Sequence, residues 1–143
     1  MSVLALDPGN STGWCMRDDD GNLIGGTLGA SHAAVWRLLS TLVPDVVIFE
    51  TFQMYPGKAQ KLIWNTFYPC EVIGVIKLYC EWYCTTIVGL QPSVKKYALS
   101  NSEINLWKSV TIKDFDEQHP VATEHTRDAV RLLRYYERNK KTL

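Results

Sequence analysis

Three carboxylates in this chain stand where carboxylates are costly. In LALDPGNSTGW (residues 4–14), Asp7 ends an apolar run and Pro8 and Gly9 turn the chain directly after it. In DVVIFETF (45–52), Glu50 closes a second apolar run. Burying a charge at such a point is unfavourable unless it meets a cation or hydrogen-bond donors. The third lies in TEHTRDAVRLLRYY (123–136), where Ala129, Leu132, Leu133 and Tyr136 recur at i, i+3, i+4 and i+7 and form a sheet-facing stripe. Asp128 borders that stripe and His125 is one turn earlier, so both are expected to point inward at the start of the helix. Glu124, also within a turn of Asp128, lies on a more exposed side. Two strand-end carboxylates with an inward Asp and His suit a hard cation, Mg²⁺ or Mn²⁺, which offsets their mutual repulsion. Paired metals about 3.5–4 Å apart activate water and stabilise the leaving oxygen in phosphodiester cleavage.

The elements that must bring these residues together are legible in outline. VLALD (3–7), GWCMR (13–17) and NLIGGTLG (22–29) read as strands, the last two joined by a hairpin turn at DDDGN, with Asp18, Asp19 and Asp20 in solvent. SHAAVWRLLSTL (31–42) reads as an amphipathic helix capped by Ser31 and ended by Pro44. The run at 45–52 is the fourth strand. Residues 57–67 are expected to be helical, and CEVIGVIKLYCEWY (70–83) is a helix apolar on most faces, hence buried or part of a subunit contact. TTIVGLQP (85–92) is the fifth strand, residues 93–112 are helical in patches, 115–122 form a loop, and the last helix spans 123–138. A meander followed by β-α alternation gives an α/β fold: a mixed sheet with helices on its faces.

At 143 residues the chain fits one domain, able to bury roughly 70% of its unfolded surface. No apolar run reaches the ~18 residues that span a bilayer, and the start lacks the basic segment of a signal peptide. Cys80 and Cys84, four apart on a helix, could offer two zinc ligands; buried reduced thiols are the expectation for all four cysteines, and a cytosolic protein follows. Trp36, Trp64, Trp82 and Trp107 are expected in the core. Net charge is zero, against a broad basic nucleic-acid binder, yet residues 1–57 carry −4 and residues 58–143 carry +4. That asymmetry fits an acidic metal site beside a basic track for phosphates.

LALDPGNSTGW, VVIFETF and HTRDAVRLL together resemble the motif set of RuvC-type Holliday junction resolvases, in the ribonuclease H-like superfamily. GLQPSVKKYAL (89–99) is similar to the segment where that family follows a strand with a Pro and paired lysines. The resemblance implies a mixed five-stranded sheet with helices on both faces, in a compact version such as a phage or virus encodes. It implies Asp7, Glu50 and Asp128 as ligands of Mg²⁺, with His125 as a further ligand or a proton-transfer group, and Glu124 as the alternative fourth ligand. Lys95 and Lys96 would help hold the scissile backbone. Phe52, with Tyr55 close behind, would be the aromatic that enters the junction crossover, and Lys58 and Lys61 would meet phosphates. The partners implied are branched DNA and a second copy of the chain, since symmetric cuts need two sites about a two-fold axis; helix 70–83 is the candidate contact.

Rival readings remain at this point. A broader flap or fork nuclease would use the same residues. A catalytically silent binding module would be expected to have lost a carboxylate. An actin-like phosphotransferase shares Asp-x-Gly-x-x-x-Thr in its first phosphate loop, but here Thr12 comes one residue early and no second glycine-rich loop follows.

Overall fold

The computed structural model describes residues 1–53, 67–98, 108–113 and 123–143, with the side chains of residues 96–98 set aside. β1 (Val3–Asp7), β2 (Thr12–Arg17) and β3 (Leu23–Leu28) form the antiparallel meander. Helix α1 (His32–Leu42) leads to β4 (Val46–Glu50), helix α2 (Tyr68–Tyr83) and β5 (Thr86–Leu90). A 3₁₀ segment (Pro92–Ala98), a short strand β6 (Thr111–Ile112) and helix α3 (Glu124–Asn139) complete the chain. The sheet order is β5-β4-β1-β2-β3-β6. β4 runs parallel to both β1 and β5, so the sheet is mixed.

The expected fold class holds, with six strands where five were expected. β6 arises within 93–112, a stretch expected to be helical in patches. Two β-branched residues are too few to produce any period, and their pairing is decided by the partner strand. Lys113 N–H donates to Gly25 O at 2.7 Å, and Gly26 has no side chain to obstruct the Lys113 carbonyl, which a Cβ there would meet at 2.4 Å. Pro92 starts the 3₁₀ segment instead of a regular helix. The expected helix at 57–67 lies outside the described residues except for Phe67, which caps the start of α2, and the loop at 115–122, Trp64 and Trp107 lie outside them too.

Local chemistry explains the remaining boundaries. Ser31 Oγ accepts from Ala34 N–H at 3.1 Å and starts α1, while Val43 in the left-handed region ends it before Pro44. Asp18 accepts backbone N–H groups from Asp20 and Asn22, and Gly21 supplies the positive φ of 85° that the hairpin needs. Ser2 and Asp45 clamp the starts of β1 and β4: Ser2 N–H and Oγ–H donate to Asp45 Oδ2 at 2.7 and 2.9 Å, and Asp45 N–H donates back to Ser2 Oγ. The resulting register sets Leu6 beside Phe49, so Asp7 and Glu50 end their strands together.

The two-residue period of the strands sorts side chains into two layers. Leu4, Leu6, Trp14, Met16, Val47 and Phe49 pack with α1 and α2 on one face. Ala5, Cys15, Val46 and Ile48 pack with Ala129, Val130, Leu132 and Leu133 of α3 on the other. Helices therefore cover both faces. α2 buries only one side; Trp82, expected in the core, is 72% exposed, and Leu78 and Tyr83 are exposed beside it. Cys15 and Cys80 are buried free thiols as expected, whereas Cys70 and Cys84 are exposed.

α3 lies on the sheet at backbone contact. A Cβ at Gly13 would stand 1.9 Å from the carbonyl carbon and oxygen of His125. Thr126 Oγ–H donates to Gly26 O at 2.8 Å and meets Thr27 Oγ1 at 2.8 Å, and Thr27 also meets Thr123 Oγ1 at 2.8 Å, so hydroxyls pin the first turn to β3. At the other end, Arg17 forms a two-point ion pair with Glu137. Gly13→Ala must push the helix away, and overpacking of this kind costs about 3 kcal/mol, lowering Tm by roughly 8 °C. Gly74→Ala, within α2 and with open space around its Cβ, should instead raise stability by about 0.5 kcal/mol. Thermal melts of both variants check the contrast.

Candidate active site

Alternation along β1 puts Asp7 on the same face as Ala5, and alternation along β4 puts Glu50 with Val46 and Ile48. Both carboxylates consequently face α3. The glycine paired with Asp7 is Gly13, the residue that admits the His125 backbone. The close docking of α3 thus delivers His125 and Asp128 to the strand ends. His125 Nδ1 lies 3.1 Å from Asp7 Oδ2. Glu124, the alternative to His125, is exposed on the first turn of the helix.

The centre of the group is an ammonium. Lys95, from the 3₁₀ segment, sits 2.6 Å from Glu50 Oε2 and donates to Asp128 Oδ2 at 3.1 Å. The Glu50 Oε2 atom is buried and meets this ammonium as its charged partner. Asp128 also accepts from Arg131 Nη1 at 2.8 Å. Asp7, 6% exposed, is the most deeply buried of the three acids.

Burial raises the Asp7 carboxyl above its ordinary value; the Lys95 charge and the His125 hydrogen bond oppose the rise, and the Asp128 charge adds to it. Burial also raises Glu50, against the contact with Lys95 and together with the charge of Asp7. For Lys95, burial works against the charged form, but Glu50 and Asp7 outweigh it and hold the ammonium above its ordinary value. Asp7 thus feels the charge of Asp128, and Glu50 the charges of both Asp7 and Asp128.

Among the described residues, no three carboxylate, imidazole or thiol groups close on one point as a ready-made metal site. The donor set nevertheless fits a hard divalent cation. It offers carboxylate oxygens from β1, β4 and α3, and those of Glu50 and Asp128 already meet a positive charge.

Of the other expected site residues, Phe52 lies two residues past Glu50, 38% exposed, with its ring 5.8 Å from that of Phe67. Lys96 is in the 3₁₀ segment beside Lys95, and its side chain is outside the described residues. Tyr55, Lys58 and Lys61 also fall outside them. Sequence reasoning missed three supporting features: Gly13, the Thr27–Thr123–Thr126 hydroxyl cluster and the central place of Lys95. A glycine inside a strand is itself a sign of close backbone approach, and Gly13 carried that sign. The hydroxyl cluster joins residues 96 positions apart, and nothing local marks it.

No family model and no curated protein matches the sequence. Solved structures do match. Thermus thermophilus RuvC in complex with a Holliday junction substrate superposes with a TM-score of 0.65 at 18% identity, covering 96% of this chain and 95% of that one. Fowlpox virus resolvase, solved with Holliday junction DNA, gives 0.59 at 16% identity over 96% of this chain and 98% of that one. The yeast mitochondrial Holliday junction resolvase Ydc2 gives 0.55 at 13% identity, covering 98% and 80% respectively. The chain has the α/β fold of these resolvases along nearly its whole length.

Proposed function

We propose that this chain is a divalent-metal-dependent endonuclease that resolves four-way DNA junctions. The observation that carries the reading is that Lys95 pairs with both Glu50 and Asp128 while Asp7, within the field of Lys95 and Asp128, pairs with His125 at the ends of β1 and β4. The shared fold supports it, since solved proteins of that fold are resolvases, two of them with junction DNA.

Asp7, Glu50 and Asp128 would hold Mg²⁺ or Mn²⁺, which when bound supplies Lewis-acid chemistry toward water and phosphate. In the hydrolysis, water oxygen attacks phosphorus, the P–O3′ bond breaks, and a proton passes to O3′, leaving a 5′-phosphate and a 3′-hydroxyl. His125 would be the proton carrier: its Nδ1 is held 3.1 Å from Asp7 Oδ2, and about half of its side chain is exposed. Phe52, exposed beyond Glu50, can stack on an unpaired base, a contact worth roughly 1–3 kcal/mol. Lys96 and the lysines at 58 and 61, with Tyr55, would extend the phosphate track. Two copies would act together, joined through Leu78, Trp82 and Tyr83 on the exposed side of α2. The free cysteines suit a reducing cytoplasm.

Wild-type protein should cut a synthetic mobile junction in Mg²⁺ and not in chelator, in preference to a flap or linear duplex. Asp7→Asn and Glu50→Gln should each lower the cutting rate by roughly 10²–10³-fold; undiminished cutting by either overturns its assignment. Leu78→Glu with Trp82→Glu should yield a monomer by light scattering and abolish paired cuts on opposite strands. A wild-type monomer that still makes paired cuts rules out the dimer.

A further inference from the structure

Resting on the nuclease reading, we infer that Lys95 is a built-in counter-ion that holds the cation position among Asp7, Glu50 and Asp128 until a divalent metal displaces it. The ammonium touches Glu50 at 2.6 Å and Asp128 at 3.1 Å and lies within the field of Asp7. Three acids at this spacing repel one another, and a buried carboxylate without a counter-charge is strongly destabilising.

The remaining partners show how an exchange would work. When Lys95 leaves, Asp7 keeps His125 and Asp128 keeps Arg131. Glu50, whose buried Oε2 meets the Lys95 ammonium at 2.6 Å, is the acid left without its cation. A metal brings two charges to three acids where the lysine brings one, so it can compete. The four-carbon stem of Lys95 lets the head swing away without moving the backbone. The displaced ammonium then stands beside the scissile phosphate, so metal loading arms the site and releases a phosphate contact in one step.

Lys95→Met tests the exchange through stability and metal affinity, independently of cleavage. In chelator its thermal midpoint should fall by at least about 4 °C, and saturating Mn²⁺ should restore it. Calorimetric titration should show Mn²⁺ bound about tenfold more tightly than by wild type, because no internal cation has to be removed first. Lys95→Arg, which keeps the charge, should stay near wild type in both measurements. Lys95→Met combined with Glu50→Gln removes one charge of each sign, taking away the acid that loses its cation, and should recover the midpoint in chelator, which keeps the test alive if the single variant does not fold. If wild type binds Mn²⁺ and Lys95→Met binds it no more tightly, or its midpoint in chelator is unchanged, the exchange is overturned and the nuclease reading stands. If wild type binds no Mn²⁺ and cuts no junction, both fall together.

Discussion

A helix can rest on a sheet at backbone distance only where the strand beneath it presents no side chain. Gly13 meets that condition under His125, and the rest of the site depends on it. Smaller neighbours on the same face, Ala5, Cys15 and Gly25, keep the surface low around it. The threonine hydroxyls between β3 and the helix then fix it in rotation as well as height, because the bond from Thr126 to Gly26 O and the contact of Thr126 with Thr27 have direction. Packing sets how near the helix comes, and hydrogen bonding sets which of its residues face the strand ends.

Charge sets the opposite tendency. Folding brings three acids to one place, two of them with carboxyls raised by burial, and the layers that bury them gain nothing from their charge. The ion pairs of Lys95 and Arg131 and the hydrogen bond of His125 balance this locally. The apolar layers on either side of the sheet supply the stability against which such a cluster can be assembled. Function is concentrated where the fold is least favourable to itself, a pattern common to sites that handle charged substrates.

Much of this was legible in the chain. Apolar runs that end in Asp7 and Glu50 marked strands and the sites of their acids, and the stripe from Ala129 to Tyr136 oriented α3 correctly. Ser31 and Pro44 bracketed α1 because capping and termination are local. Non-local features were not readable. β6 is two residues long and exists through Gly25 and Gly26, and Trp82 has the composition of a core residue at a position where the helix turns outward. The place of Lys95 between two acids was not readable either, since only the folded 3₁₀ segment, packed against α3, shows that its head reaches acids from separate elements.

The small clamp between Ser2 and Asp45 has a reach beyond its size. Side chains alternate across the sheet, so a slip of β4 by one place against β1 would carry Glu50 to the far layer and bring apolar neighbours to face the wrong helix. Those reciprocal bonds fix the alignment at the end of the strands opposite the acids. A serine and an aspartate with no part in the chemistry thus act as an indexing pin, and a chain zipped one step out of phase could be compact and still inert.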